Sequence, residues 1–230
     1  MNETQQIYDR LWREAASAFE AGCSRIDPLL PDKVSDRRRG LTLLLRPDQT
    51  VQRSINTFLG ELAEAAPGQY FYRPEEFHVT VLAIIPGSES WQDKMCHLDT
   101  CRLVIGEVLK QQREFTIAFR GATATVEAVM VQGFPGEDTL LRIRNQLRKE
   151  LRSSSLSQDL DRRYRIHAAH LTVMRFCRPD SNWQRLKELL EANRTTFFGE
   201  TRVQRLQLVL TDWYASADRV KVLEEYHVGM

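Results

Sequence analysis

Cysteine is scarce, and the four present, Cys23, Cys96, Cys101 and Cys177, fall at neither disulfide-framework nor zinc-site spacings. A disulfide-stapled secreted scaffold is thereby excluded, and a reduced, cytoplasmic compartment is expected. Net charge is missing too: 32 basic residues face 31 acidic ones, leaving +1. Such a molecule offers no overall steering field for nucleic acid, so any anion site has to be local. No apolar run approaches the length of a membrane span, which excludes a transmembrane role. The opening stretch MNETQQIYDRLWREAASAFEAG has acidic residues and no apolar centre, unlike a secretory signal. What remains is the composition of an ordinary globular protein, with 27% charged residues and chain enough for a sizeable core.

Against that background two short segments stand out. Phe77-His78-Val79-Thr80-Val81-Leu82 is echoed by Ala169-His170-Leu171-Thr172-Val173-Met174, each a His-x-Thr inside an apolar, β-branched run that reads as a buried strand. Five His and 15 Thr predict roughly one third of one such pair by chance. Strand side chains alternate faces, so His and Thr two apart point the same way. A lone match is more often core structure, with Thr present for strand propensity and His hydrogen-bonded inside. The surrounding repeat reverses that reading.

Residues 4–21 carry Ile7, Leu11, Ala15 and Phe19 on one helical stripe beside Tyr8 and Trp12, with Gly22 as the stop. Trp12 and Phe19 on this helix are expected to pack onto the body of the fold. Residues 27–40, with Pro28, Pro31 and Arg37-Arg38-Arg39-Gly40, read as a loop. Beyond it the order of elements repeats. Strand 41–46, helix 50–66, motif strand 77–85, helix 98–112 and strand 115–120 are followed by strand 126–131, helix 138–152, motif strand 170–176, helix 182–192 and strand 203–210. A last strand-like stretch covers 219–228. His78 precedes Phe115 by 37 residues and His170 precedes Leu206 by 36, which is internal evidence of duplication. The expectation is an N-terminal helical extension over 1–40 and one bilobal α+β domain over 41–230, with pseudo-repeats at about 41–121 and 125–211. A pseudo-two-fold would bring both motifs to one cleft between lobes, where small ligands usually bind.

Two imidazoles suit proton transfer near neutral pH, one taking a proton from an attacking hydroxyl and the other giving one to a departing oxygen. Thr hydroxyls beside them would donate to phosphate oxygens as charge develops. That is phosphodiester chemistry without a metal. His167 and His170, an odd offset apart on a strand, point to opposite faces. Neither motif segment contains a carboxylate and no Cys-x-x-Cys exists, so no metal ligand set and no cofactor is expected. A nucleophile-elbow pattern is also missing.

The paired motifs in a duplicated α+β chain resemble the 2H phosphoesterase superfamily, which includes bacterial 2′-5′ RNA ligase-like proteins and cyclic nucleotide phosphodiesterases. The resemblance spans roughly 41–228. It implies two lobes built on antiparallel sheets, with His78, Thr80, His170 and Thr172 catalytic on a 2′,3′-cyclic phosphate or 2′-5′ linkage. It also points to Arg175, five after His170, although the odd offset places that side chain on the other strand face unless the strand bulges or ends.

Weaker candidates surround these. Arg142, Arg144, Arg148, Lys149 and Arg152, then Arg162, Arg163 and Arg165, form a basic tract whose plainest reading is a solvated helix face and a polar loop over Ser153–Asp161. The functional reading has that loop overhanging the cleft and touching substrate phosphates. Tyr72 and Tyr164, with Tyr70 and Phe71, precede the motifs and would offer a base a stacking surface, though packing explains most aromatics. His97 and His227 are expected to be structural or exposed. The sequence therefore reads as a monomeric two-histidine phosphodiesterase acting on a nucleotide or RNA end. An RNA-joining enzyme of the same fold and a non-catalytic nucleotide-binding module are the alternatives.

Overall fold

The computed structural model describes residues 3–152, 160, 166–179 and 182–229. The chain opens with helix α1 (Glu3–Glu20), whose Tyr8, Ala15 and Phe19 are buried. Gly22 takes a φ of +67°, and the Cys23 and Gly22 amides donate back to the carbonyls of Ala18 and Phe19, each at 2.9 Å. That is the left-handed closure which ends a helix by satisfying its last carbonyls. Phe19 stacks on Trp183 at 5.3 Å and meets Phe176 edge-on. Burying one such ring is worth roughly 1.5–3 kcal/mol, so α1 is fastened to the body as its apolar stripe implies. Trp12 is only partly buried and lies under the Arg194 guanidinium at 5.1 Å.

The remaining elements follow the repeat. They run β1 (Arg39–Leu45), α2 (Gln49–Ala65), β2 (Tyr70–Phe71), β3 (Val79–Ser88), α3 (Leu98–Lys110), β4 (Phe115–Ala124) and β5 (Ala128–Pro135). After these come α4 (Thr139–Arg152), β6 (Leu171–Arg175), α5 (Trp183–Ala192), β7 (Phe197–Val203), β8 (Arg205–Asp212) and β9 (Lys221–His227). Two strands escaped the sequence reading. β2 is only two residues long, and β7, FFGETRV, is interrupted by Gly and charges that mask its period.

Among the described residues all pairings are antiparallel, in two sheets ordered β3-β1-β8-β9 and β2-β6-β5-β4-β7. The orders β3-β1-β8 and β6-β5-β4 correspond element for element, motif strand first. Yet β4 comes from the first sequence repeat and β8 from the second. Each repeat thus lends its fourth strand, β4 or β8, to the sheet that holds the other's motif strand. The short turn from β4 to β5 enforces this, with the Thr125 amide on the Ala128 carbonyl and the Thr125 hydroxyl accepting from the Glu127 and Ala128 amides. One continuous cluster of buried side chains runs through both sheets and helices α1 to α5.

Candidate functional site

Why do the motif side chains share a surface? On β1 the odd residues Leu41, Leu43 and Leu45 belong to the core cluster, which leaves Gly40, Thr42 and Leu44 to line a cleft of about 200 Å³. The same period of two places His78 and Thr80 in that cleft, with His170 and Thr172 joining from the second motif. Each strand begins one residue after its histidine, so the imidazoles stand at strand entrances and the threonines within.

Both motif strands then bulge at the same place. Leu43 pairs with Leu82 but Leu44 with Thr80, skipping Val81. Likewise Val129 pairs with Met174 but Met130 with Thr172, skipping Val173. An extra residue in one strand shifts its alternation by one. Beyond the bulge the odd residues face the cleft: Ala83, Ile85 and Gly87 on β3, and Arg175 on β6. The bulge is what turns Arg175 onto the face of His170 and Thr172, where a regular strand would have turned it away.

Strand β2 crosses to pair with β6 and sets Tyr70 opposite Arg175. Tyr72 follows, its amide on the Val173 carbonyl and its hydroxyl accepting from Arg175 Nε at 2.8 Å. The Tyr72 ring is only 3% exposed, so it braces Arg175 and offers a base no broad face. Tyr164 and Arg165, the other two weaker candidates, lie outside the described residues, as do Arg162 and Arg163. His97 is half-buried on a 3₁₀ turn and His227 is exposed on β9, both away from the cleft lining.

His78 Nδ1 lies 2.8 Å from the Glu76 carbonyl. A carbonyl only accepts, so the proton sits on Nδ1 and Nε2 is left as an acceptor. The turn that presents this carbonyl is itself held. The Glu76 carboxylate, 1% exposed, accepts from the Arg73 amide, Arg73 Nη2 and the Ala217 amide, while Arg46 donates to the Glu75 and Phe77 carbonyls. His170 Nδ1 is buried with no partner among the described residues.

Burial holds the His78 imidazole down at about 4, with Arg46 and Arg175 adding to the effect and the Glu76 bond opposing it. His170 is also held at about 4, by burial first and then by Arg144, His78 and Arg175. Among the described residues no three His, Cys, Asp or Glu side chains gather as a metal-holding group. The cleft wall also includes Thr211, Asp212, Trp213 and Tyr214 at the end of β8, residues to which no motif in the sequence pointed.

Two histidine–threonine strands meeting in one cleft of a duplicated antiparallel α+β fold define a LigT-like 2H phosphoesterase fold. Solved structures share it. Escherichia coli LigT complexed with 3′-AMP matches with a TM-score of 0.54 at 14% identity, covering 84% of this chain and 99% of that one. LigT complexed with ATP gives the same values. TT0787 of Thermus thermophilus matches with a TM-score of 0.59 at 17% identity, over 84% and 98% of the two chains. The chain belongs to the family described as the AKAP7 2′5′ RNA ligase-like domain, which matches residues 41–221. No curated protein matches it in sequence. No helix among the described residues is long and apolar enough to cross a membrane.

Proposed function

We propose that this protein is a phosphodiesterase that hydrolyses a 2′,3′-cyclic phosphate or a 2′-5′ linkage on a nucleotide or RNA end. The observation that carries this reading is the convergence of both His-Thr pairs and Arg175 on one cleft. His78, its Nδ1 proton committed to Glu76, acts as the base, with Nε2 taking a proton from water as the oxygen attacks phosphorus. His170, protonated, gives its proton to the ribose oxygen as the phosphorus–oxygen bond breaks. The product is a phosphomonoester beside a free hydroxyl, and proton exchange with solvent restores both rings. Thr80 and Thr172 donate to the non-bridging oxygens, and the Arg175 Nη groups answer their negative charge.

The decisive experiment offers 2′,3′-cyclic AMP and a 2′-5′ dinucleotide to the purified protein. Turnover that survives exhaustive chelation is expected, since His, Thr and Arg supply every group the steps use. Activity lost with chelator and restored by zinc or manganese would refute the two-histidine mechanism. Tight nucleotide binding without turnover would instead support the binding module. Products joined end to end would support the ligating reading.

The pH dependence follows from the low imidazole values. In free protein at pH 7 both rings are neutral, whereas the reaction needs one of them charged. As pH rises above about 4, the singly protonated pair becomes scarcer by tenfold per pH unit. kcat/KM, which reports free enzyme, should therefore peak on the acid side of neutral. A bound phosphate favours imidazolium and moves the kcat profile to higher pH. The limbs belong to the pair and not to either ring. Profiles of both parameters on 2′,3′-cyclic AMP test this; a kcat/KM optimum at or above pH 8 contradicts it.

A further inference from the structure

Arg144 sits in the middle of α4 with 1% of its surface exposed. A guanidinium so buried is costly unless its donors are met, and burial pulls its pKa down to about 10. Its partners among the described residues are main-chain carbonyls. Nε donates to Val81 at 3.0 Å and Nη2 to Thr80 at 2.8 Å. Nη2 also donates to Ala168 at 2.9 Å, and Nη1 to His167 at 2.8 Å. Thr80 and Val81 lie within the first motif, on β3, which is an edge strand of its sheet. His167 and Ala168 lead directly into His170. One rigid planar fork thus spans the two motifs, which share no strand pairing.

We infer that Arg144 is a positioning residue whose guanidinium sets the spacing of the two motif histidines across the cleft. The planar fork has a fixed width, so the carbonyls it joins are held at a fixed separation. An ammonium at the same place keeps the charge but not the fork. The inference rests on the reading that both imidazoles act on one phosphate.

The test compares Arg144→Lys and Arg144→Met with the wild-type protein in two measurements. One is kcat and KM on 2′,3′-cyclic AMP. The other is a titration with inorganic phosphate followed through the NMR ring signals of His78 and His170. In the wild type both rings should respond at one shared midpoint. Folded Arg144→Lys should lose about a hundredfold in kcat, the scale of a misplacement near 1 Å, with KM changed much less. Its phosphate midpoint should weaken about tenfold. Arg144→Met should show the same losses, and the His170 ring should titrate at higher pH because a nearby cation is gone. A folded Arg144→Lys whose kcat and phosphate midpoint stay within about threefold of wild type would overturn the inference. Loss of thermal stability with an unchanged midpoint, or failure of both variants to fold, would overturn it as well, since Arg144 would then be a structural tie alone. If the wild type turns over no cyclic or 2′-5′ substrate while both rings still answer phosphate together, the proposed activity fails. The positioning role is then decided by the phosphate midpoints.

Discussion

Alanine at His78 or at His170 should each lower kcat/KM by roughly 10²–10⁴-fold, the usual worth of a positioned base or acid. The two losses differ in kind. Without His78 no Nε2 acceptor is held by the Glu76 carbonyl, so water must attack without giving up its proton. Without His170 the departing ribose oxygen leaves as an alkoxide. Each single variant should also lose one limb of its pH profile. The double variant should fall far short of the product of the single losses, because groups that act as a unit are not additive. Thr80→Ala and Thr172→Ala should slow the reaction and leave both limbs standing, as a hydroxyl does not titrate in this range. Profiles on a 2′,3′-cyclic nucleotide would settle the matter, and near-wild-type turnover by either histidine variant would sink the paired mechanism.

The largest effect on stability should come from Gly133→Ala in β5. A Cβ there would lie 1.7 Å from the Ala169 carbonyl oxygen and 3.1 Å from the Phe119 ring. Neither side can yield cheaply. The amide and carbonyl of Gly133 are both bonded to the buried Tyr8 hydroxyl at 3.1 Å, and Ala169 immediately precedes His170. Overpacking usually costs 1–3 kcal/mol and sometimes more. A clash against backbone belongs at the top of that range, about 3 kcal/mol, a large share of the 5–15 kcal/mol that holds a domain together. Gly60→Ala, within α2 where a Cβ meets nothing within 4 Å, should be stabilising by roughly 0.5–1 kcal/mol. Urea melts of both variants make the comparison, and a Gly133→Ala midpoint equal to wild type would refute it.

The His-x-Thr pairs were legible because period-two alternation is a local property that needs no partner strand. The side chosen by Arg175 was not, since the skipped residue Val173 exists only in the register between β5 and β6. Tyr72 was legible as a neighbour of the site but not as the brace of Arg175, because the crossing of β2 to β6 depends on tertiary pairing. The basic tract misled where a finer count would have helped. Leu140, Ile143, Leu147 and Leu151 mark the buried stripe of α4, and Arg144 and Arg148, both nearly fully buried, fall on it. Two arginines on an apolar stripe signal buried guanidinium bonds, whereas Arg142 and Lys149 lie off it and are exposed. The strand exchange left no trace in element order, because a self-contained pair of lobes would read identically.

That exchange makes the two repeats mutual hostages. A chain cut at the β4–β5 turn yields a first piece whose sheet lacks its β8 and β9, and a second whose β6-β5 pair lacks the neighbour it needs on the inner edge. Each piece exposes an open strand edge and one half of the cleft, with one motif histidine and one motif threonine. Separated, the pieces have every reason to find each other, as swapped arms do in an intertwined dimer. Fused in one chain, the same interlock ties the integrity of the cleft to the folded whole, because the strand beside β1 and the strand beside β5 each come from the distant repeat.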